Sequence, residues 1–137
     1  MIHRLGGTGV QPELVSLWGI TPAPPDFGSF SNDILVGNFG DSRVSVFDPA
    51  SGAFLGQLSD ANGQPLALDG GFQGADAKGL WGLIAFNNGN PAGPTNTLFF
   101  DSGINDEADG LFGSLTFRTV ATANADSIAS VVPPGRR

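Results

Sequence analysis

The 137-residue chain has 13 acidic and 6 basic side chains, one histidine and no cysteine, for a formal charge of −7. That balance repels phosphate backbones and anionic lipid surfaces, so nucleic acid is not an expected partner. The missing cysteine excludes a disulfide framework, a thiolate metal site and a Cys nucleophile.

Residues 1–13 are Gly-rich and without period, which reads as a flexible lead-in. They hold the only histidine, His3, which reads as a surface residue rather than a general base. No apolar core of signal-peptide length occurs there, and no run anywhere approaches the ~18 apolar residues of a membrane span, so no membrane insertion is expected. The segment Leu14–Ile20, LVSLWGI, is the first predicted strand, stopped by Pro22, Pro24 and Pro25, which lack the N–H that a ladder needs. Asp33–Phe39 and the alternating Arg43–Asp48 follow as a hairpin around Gly40-Asp41-Ser42. Asp48–Gly52 is a second turn, and Ala53–Leu58 a fourth strand. Four short strands in sequence make one antiparallel meander over residues 14–60.

A second unit over residues 80–123 repeats the plan, with Leu80–Phe86, Asn96–Phe100 and Gly113–Arg118 as strands and Thr116–Ala123 as an outer one. Gly71–Lys78 reads as an insertion ahead of it, and residues 124–137 as a tail, with a short helix over Ala125–Val131 as the alternative. A repeated Trp-Gly pair ties the units together. Trp81 follows Trp18 by 63 residues, and Leu98 follows Trp81 by the same 17 residues that separate Leu35 from Trp18. This predicts an all-β chain: a partial β-propeller of about two four-stranded blades, whose spacing exceeds the ~40–50 residues of common propeller repeats because of loops. Repeat units need about three neighbours for stability, so the chain is expected to form a homo-oligomer, for example a ring of about three copies, or to pair with missing blades.

The second unit differs where Asp101–Gly110 replaces a short turn: 34 residues separate Trp81 from Leu115, against 28 from Trp18 to Val46. Asp101, Asn105, Asp106, Glu107 and Asp109 put carboxylate and amide oxygens within nine residues, a composition that suits Ca²⁺. The same residues suit a solvated turn whose side chains cap backbone N–H groups. Asn38, at the end of a strand, is a candidate for lining a ligand channel, and Trp18 and Trp81 are candidates for stacking a sugar or peptide, or else for core packing. The Phe side chains, Phe39, Phe47, Phe99, Phe100, Phe112 and Phe117 among them, read as contacts between units. Gly6-Gly7-Thr8-Gly9 lacks the strand, Lys and helix of a phosphate loop.

The run SNDILVGNFGDSRVSVFDPASGAFLGQLSDANGQPLALDG, with WGI before it and LWGL and GINDEADGLFGSLT after it, resembles an uncharacterised family of bacterial secreted β-propellers that often carry a PEP-CTERM sorting signal. It is more distantly similar to NHL and gluconolactonase-like propellers. The likeness covers the C-terminal portion of the longer family protein and implies an extracellular or periplasmic setting. The closing Val131–Arg137 lacks the Glu and hydrophobic span of the tag, so membrane sorting is not implied. The lactonase-like relatives bind a divalent cation in a central channel, which implies a metal-dependent hydrolase as the alternative to a non-catalytic binding or interaction scaffold. A self-assembling structural fragment is the third reading.

Overall fold

The structure, a computed structural model, describes residues 5, 13–69, 79–85, 94–118 and 128–132. His3 and the expected insertion Gly71–Lys78 lie outside the described residues. Among the described residues, eight strands form two open antiparallel sheets, each a meander in chain order. The first holds β1 (Leu17–Pro22), β2 (Ile34–Asn38), β3 (Val44–Phe47) and β4 (Phe54–Gln57); the second holds β5 (Leu80–Ala85), β6 (Thr97–Ile104), β7 (Asp109–Arg118) and β8 (Ile128–Val132). A 3₁₀ turn at Gly28–Phe30 is the one helical element among the described residues. No helix there is long and apolar enough to cross a membrane.

Three boundaries differ from expectation. β1 starts at Leu17 and runs on through Pro22, paired with Ile34. It is the edge strand of its sheet, where a missing N–H costs no ladder bond. β6 and β7 extend through most of the expected acidic loop, leaving a turn at residues 105–108. The fourth strand of the second sheet is Ile128–Val132, in the segment expected to be a tail or a helix; its β-branched Ile128, Val131 and Val132 favour the pleated ladder against β7.

Both units carry the same irregularity. On β1 the register slips by one residue between Leu17↔Asn38 and Ile20↔Val36, and on β5 it slips by one between Leu80↔Ser102 and Gly82↔Asp101. The Trp-Gly pair stands at this β-bulge in each sheet, so the repeated dipeptide marks a repeated bulge.

Pairing also corrects the expected register. Thr21, three residues past Trp18, faces Leu35, while Ile84, three past Trp81, faces Phe99. The equivalent of Leu35 is therefore Phe99, not Leu98. A slip of one residue turns every side chain to the other face, and the packing follows the slipped register. Leu35, Val44 and Val46 from one face of the first sheet join Leu80, Leu83, Leu98, Phe100 and Leu115 from the opposite kind of face of the second in one buried cluster. The sheets thus stack head to tail. Val36 and Phe47, on the far face of the first sheet, are also buried, whereas the far face of the second leaves Ile84 50% and Phe112 64% exposed.

The connection between the sheets is pinned by backbone. Leu68 N–H donates to the Ser42 carbonyl (2.8 Å), and the Leu68 carbonyl accepts from Ser102 Oγ (2.7 Å). Two turns in the first half are closed by carboxylates. Asp48 Oδ1 accepts from the backbone N–H groups of Ser51 (2.6 Å) and Ala50 (2.9 Å) and from Ser51 Oγ (2.8 Å). Asp60 Oδ1 accepts from Asn62 (2.8 Å) and Gln64 (2.9 Å). The Ser51 N–H holds Asp48 below the usual carboxylate range, and the Gln64 N–H does the same for Asp60. A folded-state pKa below the unfolded value adds stability that is present above the ordinary range and lost as pH falls through the lowered value. Asp33, raised by partial burial and then by the Asp48 charge, contributes in the opposite sense. The urea midpoint is expected to fall as the pH drops through and below the ordinary carboxylate range, and Asp48→Asn to flatten part of that fall.

Candidate functional site

The two bulges bring the Trp side chains together. Trp18 and Trp81 meet edge to face at 4.5 Å between ring centroids, and Phe39 lies 5.3 Å from Trp81 and 6.0 Å from Trp18. Gly19 makes this possible: a Cβ there would stand 2.9 Å from both Leu83 N and the Trp81 carbonyl oxygen, so β1 and β5 approach backbone to backbone. Trp18 is 61% exposed. It is a partly open ring at a junction rather than a core residue.

On the other side of Trp81 the indole Nε1 stands 2.9 Å from where a Cβ on Gly103 would be, and Glu107 Cγ 3.2 Å from the same point. Between this ring and the β6–β7 arm lies an open cleft of about 620 Å³, lined by Trp81, Asp101, Glu107, Asp109 and Phe112 among others. The tip of the arm is left-handed, with φ of +55° at Asn105, +53° at Asp106 and +65° at Glu107. Asn and Asp tolerate this region, whereas for Glu it carries strain. Glu107→Gly is therefore expected to raise stability by about 0.5 kcal/mol, the relief of αL strain exceeding the added chain entropy, which a urea titration reads directly.

Three of the five acidic-arm residues, Asp101, Glu107 and Asp109, line the same cleft. Asp101 sits on β6 opposite Phe112, and its carboxylate fills the space that a side chain on Gly82 would need. Asn105 Nδ2 donates to Asp109 Oδ2 across the turn (3.1 Å). Asp101, Asn105, Asp106, Glu107 and Asp109 are all exposed. Among the described residues no group of three or more acidic, His or Cys side chains is placed to hold a metal ion.

Asn38 is not on a channel. It is fully buried: its Oδ1 accepts from Val15 N–H (3.1 Å), and its Nδ2 donates to the Glu13 carbonyl (3.2 Å) and to Ser45 Oγ (3.1 Å). Ser45 Oγ itself donates to Glu13 O at 2.6 Å. This pair fastens residues 13–16 to the first sheet. Phe39 meets Trp81 of the second unit, a contact between units as its sequence reading expects. Sequence reasoning missed Gly79 and Gly103 as parts of the junction; the second Trp-Gly pair was the signal that could have found them, had it been read as a bulge.

The chain is 32% identical over 114 residues to the uncharacterized proteins L690 and R648 of Acanthamoeba polyphaga mimivirus. The matched region is 83% of this chain but 26% and 24% of those proteins, so the chain spans about a quarter of the length of the curated relatives it matches. No model of a known protein family matches, and no solved structure does. These findings overturn the resemblance to the bacterial PEP-CTERM-associated family: the relatives found are viral, and no bacterial family of that kind matches. The extracellular setting was an implication of that resemblance alone.

Proposed function

We propose that the chain is a non-catalytic interaction scaffold of β-propeller type, its two sheets serving as successive blades. The observation that carries this reading is the head-to-tail stacking of two meanders with the same bulge in the same place, because radial repetition places one face of each unit on the opposite face of the next. A sandwich of two identical sheets would instead bury equivalent faces against each other.

The surfaces this arrangement presents suit contact rather than turnover. Trp18, Phe39 and Trp81 offer a rigid aromatic ridge, and aromatic anchors of this kind dominate the energy of protein contacts. The acids beside it are exposed to solvent, where a partner's polar groups can reach them. Assay against a panel of lactones with Ca²⁺, Mg²⁺, Mn²⁺ and Zn²⁺ tests the reading. Hydrolysis at the uncatalysed rate is the expected result. Turnover that disappears in Asp101→Asn or Glu107→Gln would replace the scaffold with a metal-dependent hydrolase.

A further inference from the structure

The first sheet shows what its stacking face receives, and the second sheet repeats that face with one telling change. Pairing makes Phe99 the equivalent of Leu35, Asp101 of Gly37 and Phe112 of Val44. On the first sheet, Gly37 admits two leucines of the following strand: a Cβ there would lie 3.1 Å from Leu83 Cδ1 and 3.2 Å from Leu80 Cδ2. On the second sheet the same spot holds the Asp101 carboxylate, in a groove of about 260 Å³ walled by Ile84, Phe99 and Phe112. An aliphatic side chain descending there would bury the acid without a partner, an expensive arrangement, while an ammonium or guanidinium on an aliphatic stem would pair with it and cover the rings.

A second copy of this chain does not fit. Stacked head to tail it would bring Leu17 and Ile20, the equivalents of Leu80 and Leu83, onto Asp101, and neither carries a charge. Leu17 and Ile20 are themselves exposed, but Val36 and Phe47 beside them on the far face of the first sheet, the equivalents of Phe100 and Leu115, are already buried. Packed face to face on itself, the groove would set Asp101 against its own copy.

We infer that the open face of the second sheet docks a further β unit of the same type whose first strand carries a Lys or Arg opposite Asp101. The inference rests on the two sheets being successive blades.

The probe is the seven-residue strand 79–85 of this chain, acetylated and amidated, in its own sequence and as its Leu83→Lys and Leu83→Glu variants, titrated into the ¹⁵N-labelled full chain. The Leu83→Lys peptide is expected to shift the amides of residues 82–84, 99–101 and 112–114 with an affinity about tenfold above that of the Leu83→Glu peptide. Asp101→Asn in the protein is expected to erase that preference, while Phe112→Ala weakens all three peptides alike. Shifts at none of these amides with the Leu83→Lys peptide, or a preference that survives Asp101→Asn, would overturn the inference. Failure of the successive-blade reading would look different: the inner face of the second sheet, at Leu98, would be open to solvent with no peptide present.

Discussion

Gly79→Ala is expected to destabilise the chain by more than about 3 kcal/mol, a large part of the roughly 5–15 kcal/mol that holds a domain of this size folded. Gly79 is buried, with φ of +130°, a conformation open to glycine and strained for any side chain. Its N–H donates to the Phe39 carbonyl of the first sheet (2.9 Å), and its carbonyl accepts from Gly103 N–H of the second (2.8 Å). A Cβ would collide with the Gly103 carbonyl oxygen, which is backbone and cannot swing aside. Relieving the clash means giving up one or both bonds that tie the sheets together beneath Trp81. Urea denaturation gives the number. A loss under about 1 kcal/mol would mean that the sheets do not meet through this residue.

Asn38→Ala should cost about 2–4 kcal/mol. The substitution removes an acceptor for Val15 N–H and donors to Glu13 O and Ser45 Oγ at a site with no exposed surface, so partners are left unsatisfied where water does not reach. Asn38→Asp is more informative. It keeps an acceptor for Val15 but turns a carboxylate toward the Glu13 carbonyl and toward Ser45 Oγ, whose proton is already given to Glu13. Burial raises the folded pKa of such an acid above its unfolded value, so the penalty grows as pH rises through the unfolded carboxyl range. The variant is therefore expected to lie closer to the parent at pH 4 than at pH 7. An equal penalty at both would mean that residue 38 is reached by solvent.

The repeat was legible in the sequence because a bulge leaves a mark: Trp-Gly recurs where each first strand takes its extra residue. Strands β2 to β5 were legible too, since Val44-Ser45-Val46-Phe47 and its neighbours alternate between turn residues. The relative register of the units was not. Leu98 and Phe99 are both apolar, so either could stand for Leu35, and only the pairing of Ile84 with Phe99 decides it. The length of the arm was not legible either. Asp101, Asp106, Glu107 and Asp109 run together as one acidic loop when counted along the chain, whereas the long ladder from Thr97↔Thr116 to Ile104↔Asp109 puts Asp101 and Asp109 on strands and leaves a turn at residues 105–108. Asn38 was misplaced because its partners, the backbone of Glu13 and Val15, belong to a stretch with no periodic signal.

Head-to-tail stacking buries one face of the first sheet and leaves the matching face of the second open. A chain without cysteine allows the most direct test: thiol labelling of Val44→Cys, Leu98→Cys and Phe112→Cys, one at a time, under native conditions. Val44 and Phe112 are equivalent positions, 1% and 64% exposed, and Leu98 lies fully buried on the inner face of the second sheet. Rapid labelling is expected at position 112, with protection at 44 and 98 that is lost only on unfolding. Rapid labelling at 98, or protection at 112 equal to that at 44, would contradict head-to-tail stacking.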